Sequence, residues 1–469
     1  MGRTAFLCFL LLLLTVCGLS LVLNGCGNNL TDSAGRGPIQ HVVVIVQENR
    51  TPDNLFHDPL LMARGADIAS SGSNSLDETI PLTAGSLGTG YDLSHAHSAF
   101  VAMYNQGKMN GANLVSTACL SGGVANCPTV NPQFRYVNPA DVQPYFDIAE
   151  QYTFADRMFQ TNQGPSFPAH QFLISGTSAP TATSKQFVAE NGQGVRNFAS
   201  QTGCLSPPAE YVELIDASGN ESSKMYPCTD HPTLTDELND RRISWRYYAP
   251  SAGSLWNAPN AIQHMCGPNT APPNATECTG PDWKNGVVIP ETQVLTDIMS
   301  GNLATVSWVI PTGKNSDHAG SIDGTGGPSW VASIVNAIGN SSYWANTAII
   351  ITWDDWGGWY DHVAPPVVND GISWGSGYIY GFRVPLIVVS PYAKAGYISH
   401  VQHDFGSILN FVETLYSLPS LGYADAYADD LRDCFDIHQT PIPFKTIDAP
   451  LDAAYFLNDK SPRTDPDDD

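Results

Sequence analysis

The chain has 469 residues, with 21 Lys and Arg against 45 Asp and Glu, so its formal charge of −24 excludes nucleic-acid binding through a broad basic surface. Apolar residues make 42% and charged residues only 14%, below the roughly 25% charged residues of an average globular chain, which excludes intrinsic disorder. The 41 Gly and 34 Pro imply long ordered loops around a core, at a length that suits two ordinary domains or one large α/β enzyme.

Arg3 precedes an uncharged apolar stretch running to Leu23, which reads as an export signal over residues 1–25. Leu23-Asn24-Gly25-Cys26 resembles a lipoprotein cleavage box, in which Cys26 is acylated and the chain is held to a membrane. An ordinary signal peptide or an uncleaved anchor are the alternatives. Each places the mature chain outside the cytoplasm, where disulfides form. Seven cysteines follow Cys26, and Cys119/Cys127, Cys204/Cys228 and Cys266/Cys278 are expected as local pairs, leaving Cys434. The chain has no C-x-x-C, so a cysteine-based zinc site has no support.

After a polar linker at 26–38, His41-Val42-Val43-Val44-Ile45-Val46 reads as a strand buried on both faces of a parallel sheet. Runs at 304–310, 347–353 and 384–389 share that character, and segments 330–338 and 405–415 carry apolar residues at helical spacing. Strands alternating with helices predict a three-layer α/β/α fold around a mostly parallel sheet. The catalytic domain is expected over 39–455, with a loop-rich cap-like insertion at about 180–290 and an acidic disordered tail at 456–469.

Ligands of open α/β sheets bind beyond the carboxyl ends of the strands. The first strand ends in Gln47-Glu48-Asn49-Arg50, the strand at 347–353 in Asp354-Asp355-Trp356-Gly357-Gly358, and the run at 304–310 leads to Ser316-Asp317-His318. Three carboxylates and an amide oxygen suit a hard or borderline divalent cation, and glycines permit close backbone approach. Ser166 stands between prolines before an apolar helical stretch, where a helix N-terminus favours a phosphate or where the serine simply caps the helix. It lies in no G-x-S-x-G elbow, which disfavours an α/β-hydrolase triad.

Six motifs in order resemble one family. They are His41 to Thr51, Asp92-Leu93-Ser94-His95 with Gly107-Lys108-Met109, Gly164-Pro165-Ser166, Asp230-His231-Pro232-Thr233-Leu234, Ser316-Asp317-His318, and Asp354 to Val363. The chain from 39 to 440 is similar to the bacterial phosphoesterases that join acid phosphatases with phosphatidylcholine-type phospholipases C on an alkaline phosphatase-like fold. The resemblance implies one divalent metal ion held by Glu48, Asn49, Asp354, Asp355 and the nucleophile Ser166. It also implies that His95, His231 and His318 surround the phosphoryl group, with His264 the alternative to His231. Ser166 is similar to the acid phosphatase branch, the phospholipase branch usually having Thr there. Asp354-Asp355-Trp356 departs from the Asp-Glu-His common in relatives.

The expected activity is acid phosphomonoester hydrolysis through a phosphoserine, with a phospholipase C acting on phospholipids as the alternative. The expected partners are a small phosphate ester or a phospholipid and, through Cys26, the membrane of a bacterial cell envelope or periplasm. A metal and histidines would reverse the sign of a strongly acidic surface where an anionic substrate enters. His362 is read as structural or as a support to the metal ligands, and His57, His97, His170, His400 and His403 receive no role. The metal's identity and the oligomeric state stay open.

Overall fold

A computed structural model describes residues 37–119, 127, 129–194, 201–320, 326–368 and 377–463. The expected leader with Cys26, most of the linker and the last six residues lie outside them. Among the described residues no helix is long and apolar enough to cross a membrane.

The central sheet has eight strands: β1 (His41–Gln47), β2 (Thr153–Ala155), β3 (Trp245–Tyr248), β4 (Val287–Val288), β5 (Val306–Val309), β6 (Thr347–Trp353), β7 (Leu386–Val389) and β8 (Tyr397–Ser399). Their spatial order is β4-β3-β5-β1-β6-β7-β2-β8. Every pairing is parallel except those of β7, which runs against both β6 and β2. β1 and β6 lie at the centre because their β-branched runs are apolar on both faces, and Val42 to Val46 are wholly buried.

Side chains alternate between faces along a strand, and the register separates the two helical layers. Trp353 lies opposite Gln47 and meets Tyr145 of helix α1 (Gln143–Gln151) edge-on at 5.1 Å. Trp308 lies opposite Val44, on the other face, and its indole N–H donates to Leu173 O of helix α2 (Ser166–Ser175) at 3.2 Å. Helices α3 (Gln293–Ser300) and α4 (Gly326–Gly339) join the α1 layer, and α5 (Phe405–Tyr416) packs beside α2. The three-layer α/β/α expectation holds.

Two boundaries differ from those expected. The stretch at 180–290 is not one insertion, because β3 and β4 lie inside it and extend the central sheet. The remainder forms a three-stranded antiparallel sheet of Gln186–Val188, Val212–Asp216 and Glu221–Met225, with loops tied by Cys204–Cys228 and Cys266–Cys278. The third expected disulfide, Cys119–Cys127, is also present, and Cys434 is free and buried. The disordered tail does not begin at 456. Helix α6 (Ala453–Asn458) buries Phe456 against Trp330 at 5.2 Å, and Lys314 pairs with Asp459 at 3.1 Å, which holds residues to 463 on the α4 layer.

Candidate active site

The ends of β1 and β6 are joined by backbone bonds: Asp354 N–H donates to Gln47 O and Arg50 N–H to Asp355 O, both at 2.9 Å. Asn49 takes a left-handed conformation, φ 63°, which asparagine tolerates better than most residues. Gly357 turns the chain beside it at φ 62°, where a Cβ would stand 2.3 Å from Asn49 O. Any side chain at Gly357 would push the two strand ends apart.

Backbone donors orient both aspartates. Asp354 Oδ1 accepts from Asn49 N at 3.1 Å and Asp355 N at 2.7 Å, while Asp355 Oδ1 accepts from Gly357 N at 2.7 Å. The second oxygen of each is thereby left to face the site. Ser166 is the first residue of α2, and its Oγ lies 3.2 Å from Asp355 Oδ2 and 3.4 Å from Glu48 Oε2. The five expected metal ligands, Glu48, Asn49, Ser166, Asp354 and Asp355, are all fully buried and stand together.

Burying three carboxylates in one place requires a counter-charge. Asn49 Oδ1 and Asp354 Oδ2 are buried with no hydrogen-bond partner, the signature of donors arranged for something other than protein hydrogens. An oxygen-rich set of this kind fits a divalent cation.

His95 and His318 stand beside this group. His95 Nδ1 donates to Leu93 O at 2.9 Å, which makes Nε2 an acceptor, 3.0 Å from Asn49 Nδ2. His318 Nδ1 bonds to Ala319 O, while its buried Nε2 has no hydrogen-bond partner. The two rings meet edge-on with centroids 5.7 Å apart. The turn carrying His318 is fixed from behind: Tyr145 OH and Trp353 Nε1 donate to Asp317 Oδ2 at 2.8 and 2.9 Å, and Arg50 Nε donates to Asp317 O at 2.7 Å. Burial pushes the Asp317 carboxyl up to about 6, against the pull of Arg50.

His231 is not brought to this group. Its Nδ1 donates to Ala179 O at 2.7 Å and its Nε2 lies 3.0 Å from Ser175 Oγ. Ser175 ends the helix that Ser166 begins, about 13 Å away at 1.5 Å per residue. Burial lowers the His231 pKa to about 4, so the ring is a neutral structural bridge. His264 is no substitute: it is half-exposed and paired with Asp230 at 2.8 Å and Asp236 at 3.4 Å. Burial opposes its charge, yet the hydrogen bonds to Asp236 and Asp230 push it up to about 9.

The sequence reading missed His170. It lies one helical turn after Ser166, fully inside, with Nε2 3.2 Å from Glu48 Oε1 and 3.7 Å from Asp354 Oδ2. The signal was present, since residues four apart share a helix face. His362 is structural, as expected: Nδ1 bonds Asp53 Oδ2 at 2.7 Å and Nε2 bonds Asp67 Oδ1 at 3.0 Å, beside a buried Arg383 that pairs with Asp361 and Asp53.

Residues 39–419 match the Phosphoesterase family, and the chain belongs to that family, whose members are hydrolases acting on phosphoric ester bonds. The chain is similar to the hemolytic phospholipase C of Pseudomonas aeruginosa, 24% identical over 452 residues, and that match covers 85% of this chain but only 56% of the relative. It is also similar to phospholipase C B of Mycobacterium tuberculosis, 25% identical over 471 residues, 91% of this chain and 82% of that one. Among solved structures, a protein in the alkaline phosphatase superfamily from Vibrio parahaemolyticus aligns over 85% of this chain and 72% of its own, with 12% identity and a TM-score of 0.35.

Proposed function

We propose that this chain is a metal-dependent phosphomonoesterase working through a phosphoserine at Ser166. The observation that carries the reading is Ser166 Oγ at the start of α2, 3.2 Å from Asp355 and 3.4 Å from Glu48. Glu48, Asn49, Asp354 and Asp355 would hold one divalent cation, which when bound polarises the ester and lowers the pKa of a nearby hydroxyl. Ser166 Oγ attacks phosphorus as its proton passes to a neighbouring carboxylate, Asp355 or Glu48, and the P–O bond to the alcohol breaks. His318 Nε2, buried with no protein partner, is the group aimed at the phosphoryl oxygens and the departing alcohol, while His95, through its contact with Asn49 Nδ2, orients that amide beside the phosphoryl site. Water then cleaves the phosphoserine by the reverse geometry, restoring the hydroxyl. Imidazoles that act protonated favour the acid side of neutrality.

The buried setting of Ser166, His95 and His318 supports a terminal phosphoryl group as the part that enters. A second reading, phospholipase C-type diester hydrolysis, is favoured by the names of the two relatives above. Turnover of 4-nitrophenyl phosphate against 4-nitrophenyl phosphocholine across pH decides between them. Faster monoester turnover with an acid optimum is expected, and strong diester hydrolysis with negligible monoester turnover would replace this reading with the second.

We also place the enzyme in the cell envelope, held by a lipid at Cys26; the apolar leader and the three disulfides support export. Fatty-acid labelling that persists in Cys26→Ser would rule out that anchor.

A further inference from the structure

We propose that His170 supplies a nitrogen donor to the same cation, making the site a mixed nitrogen and oxygen site selective for a first-row transition metal over magnesium or calcium. The inference rests on the metal-dependent reading above. Its ground is the placement of one ring nitrogen between two carboxylates. His170 Nε2 lies 3.2 Å from Glu48 Oε1 and 3.7 Å from Asp354 Oδ2, with all three side chains at zero exposure.

An ion pair made for its own sake closes to a charge-assisted hydrogen bond of about 2.7–2.9 Å on one carboxylate. Neither separation here is that short, and the nitrogen is shared. Donor atoms around one metal at about 2.0–2.2 Å stand roughly 3–3.6 Å from one another, which is the spacing these atoms approach. One ligand atom from each of Glu48, His170 and Asp354 falls within 4.8 Å of the others. Asp354 Oδ2, the oxygen 3.7 Å from the ring nitrogen, is buried without a hydrogen-bond partner.

The helix explains how the donor is delivered. Ser166 and His170 are the first and fifth residues of α2, so one face presents the hydroxyl and the imidazole together. Binding through Nε2 places the ring proton on Nδ1, the tautomer that leaves a lone pair toward the carboxylates. An all-oxygen set suits magnesium, calcium or manganese, and an imidazole moves the preference toward zinc, iron, nickel and copper.

The test uses the full chain loaded with one equivalent of Cu²⁺ and examined by electron paramagnetic resonance, alongside Zn²⁺ and Mg²⁺ titration calorimetry. Wild type is expected to show coupling to an imidazole nitrogen that disappears in His170→Gln and persists in His95→Gln. The preference for Zn²⁺ over Mg²⁺ should fall roughly tenfold or more in His170→Gln. Wild type that binds one ion without nitrogen coupling would overturn the His170 assignment while leaving the metal reading intact, as would nitrogen coupling retained in His170→Gln. Wild type that binds no divalent ion would overturn both.

Discussion

Ser166 Oγ and Asp355 Oδ2, 189 positions apart in the chain, meet at 3.2 Å in the buried interior. The contact joins the head of α2 to the end of β6, so the hydroxyl is oriented by the same carboxylate proposed to hold the cation. If that hydroxyl is the nucleophile, Ser166→Ala lowers monoester turnover by about a thousandfold or more and leaves the far-ultraviolet circular dichroism unchanged. A variant that kept wild-type initial rates would mean that water, not serine, attacks phosphorus.

His231 separates a structural histidine from a chemical one. His231→Asn should leave turnover within about threefold of wild type, yet cost about 1–3 kcal/mol of stability by removing the buried donor to Ala179 O and the ring's contact with Ser175 Oγ. Its pH signature is specific. The folded ring stays neutral down to about pH 4, whereas the unfolded ring takes a proton near 6.5. Between those values the unfolded state binds more protons, so this group makes stability rise with pH, by about 1.4 kcal/mol per unit at most. Denaturant titrations from pH 4.5 to 7 should show a shallower slope in the variant; an unchanged slope with a large loss of turnover would return His231 to the active site.

Arg383 and His362 form the counter-charge to Asp53 and Asp361. Arg383 Nε reaches both Asp361 oxygens at 3.0 and 3.1 Å, and all these groups are buried. Arg383→Met takes the buried cation from Asp361, leaves Asp53 with His362 alone, and should cost about 3–5 kcal/mol, measured by chemical denaturation. His362 adds a pH window of the opposite sense. Burial resists its charge, but the hydrogen bond and charge of Asp53 push its pKa up to about 9. Its contribution is therefore complete below about pH 6.5 and lost as pH rises through 9. The penalty of His362→Gln, about 1–2 kcal/mol at pH 6 after discounting for solvent contact, should shrink toward pH 10. A pH-independent penalty would show that the ring packs without carrying charge.

The legible parts of the fold were those long enough to show a pattern. β1 spends six consecutive residues in burial and β6 seven, and Glu48, Asn49, Asp354 and Asp355 follow directly from where those runs stop. β2, β3, β4 and β8 have two to four residues each, too few to display a period, so the assumed cap at 180–290 swallowed two of them. His231 was assigned from local text, and local text cannot say which end of a helix it will meet. His170 is the converse case: its spacing from Ser166 was visible, but its partner Glu48 lies 122 positions away and becomes adjacent only when the layers close.

The reversed course of β7 has an architectural consequence. Leu386, at its start, pairs with Thr352, next to the acidic end of β6, so the residues entering β7 arrive where those leaving its neighbours depart. Arg383 thus reaches the carboxylate-bearing rim from the upstream side of a strand, and its position is set by the sheet and not by the length of chain leading to it. The Asp361–Arg383 pair thereby buttons the stretch leaving one strand to the stretch entering its antiparallel neighbour, a tie that a parallel pair, with its ends at opposite edges, could not make directly.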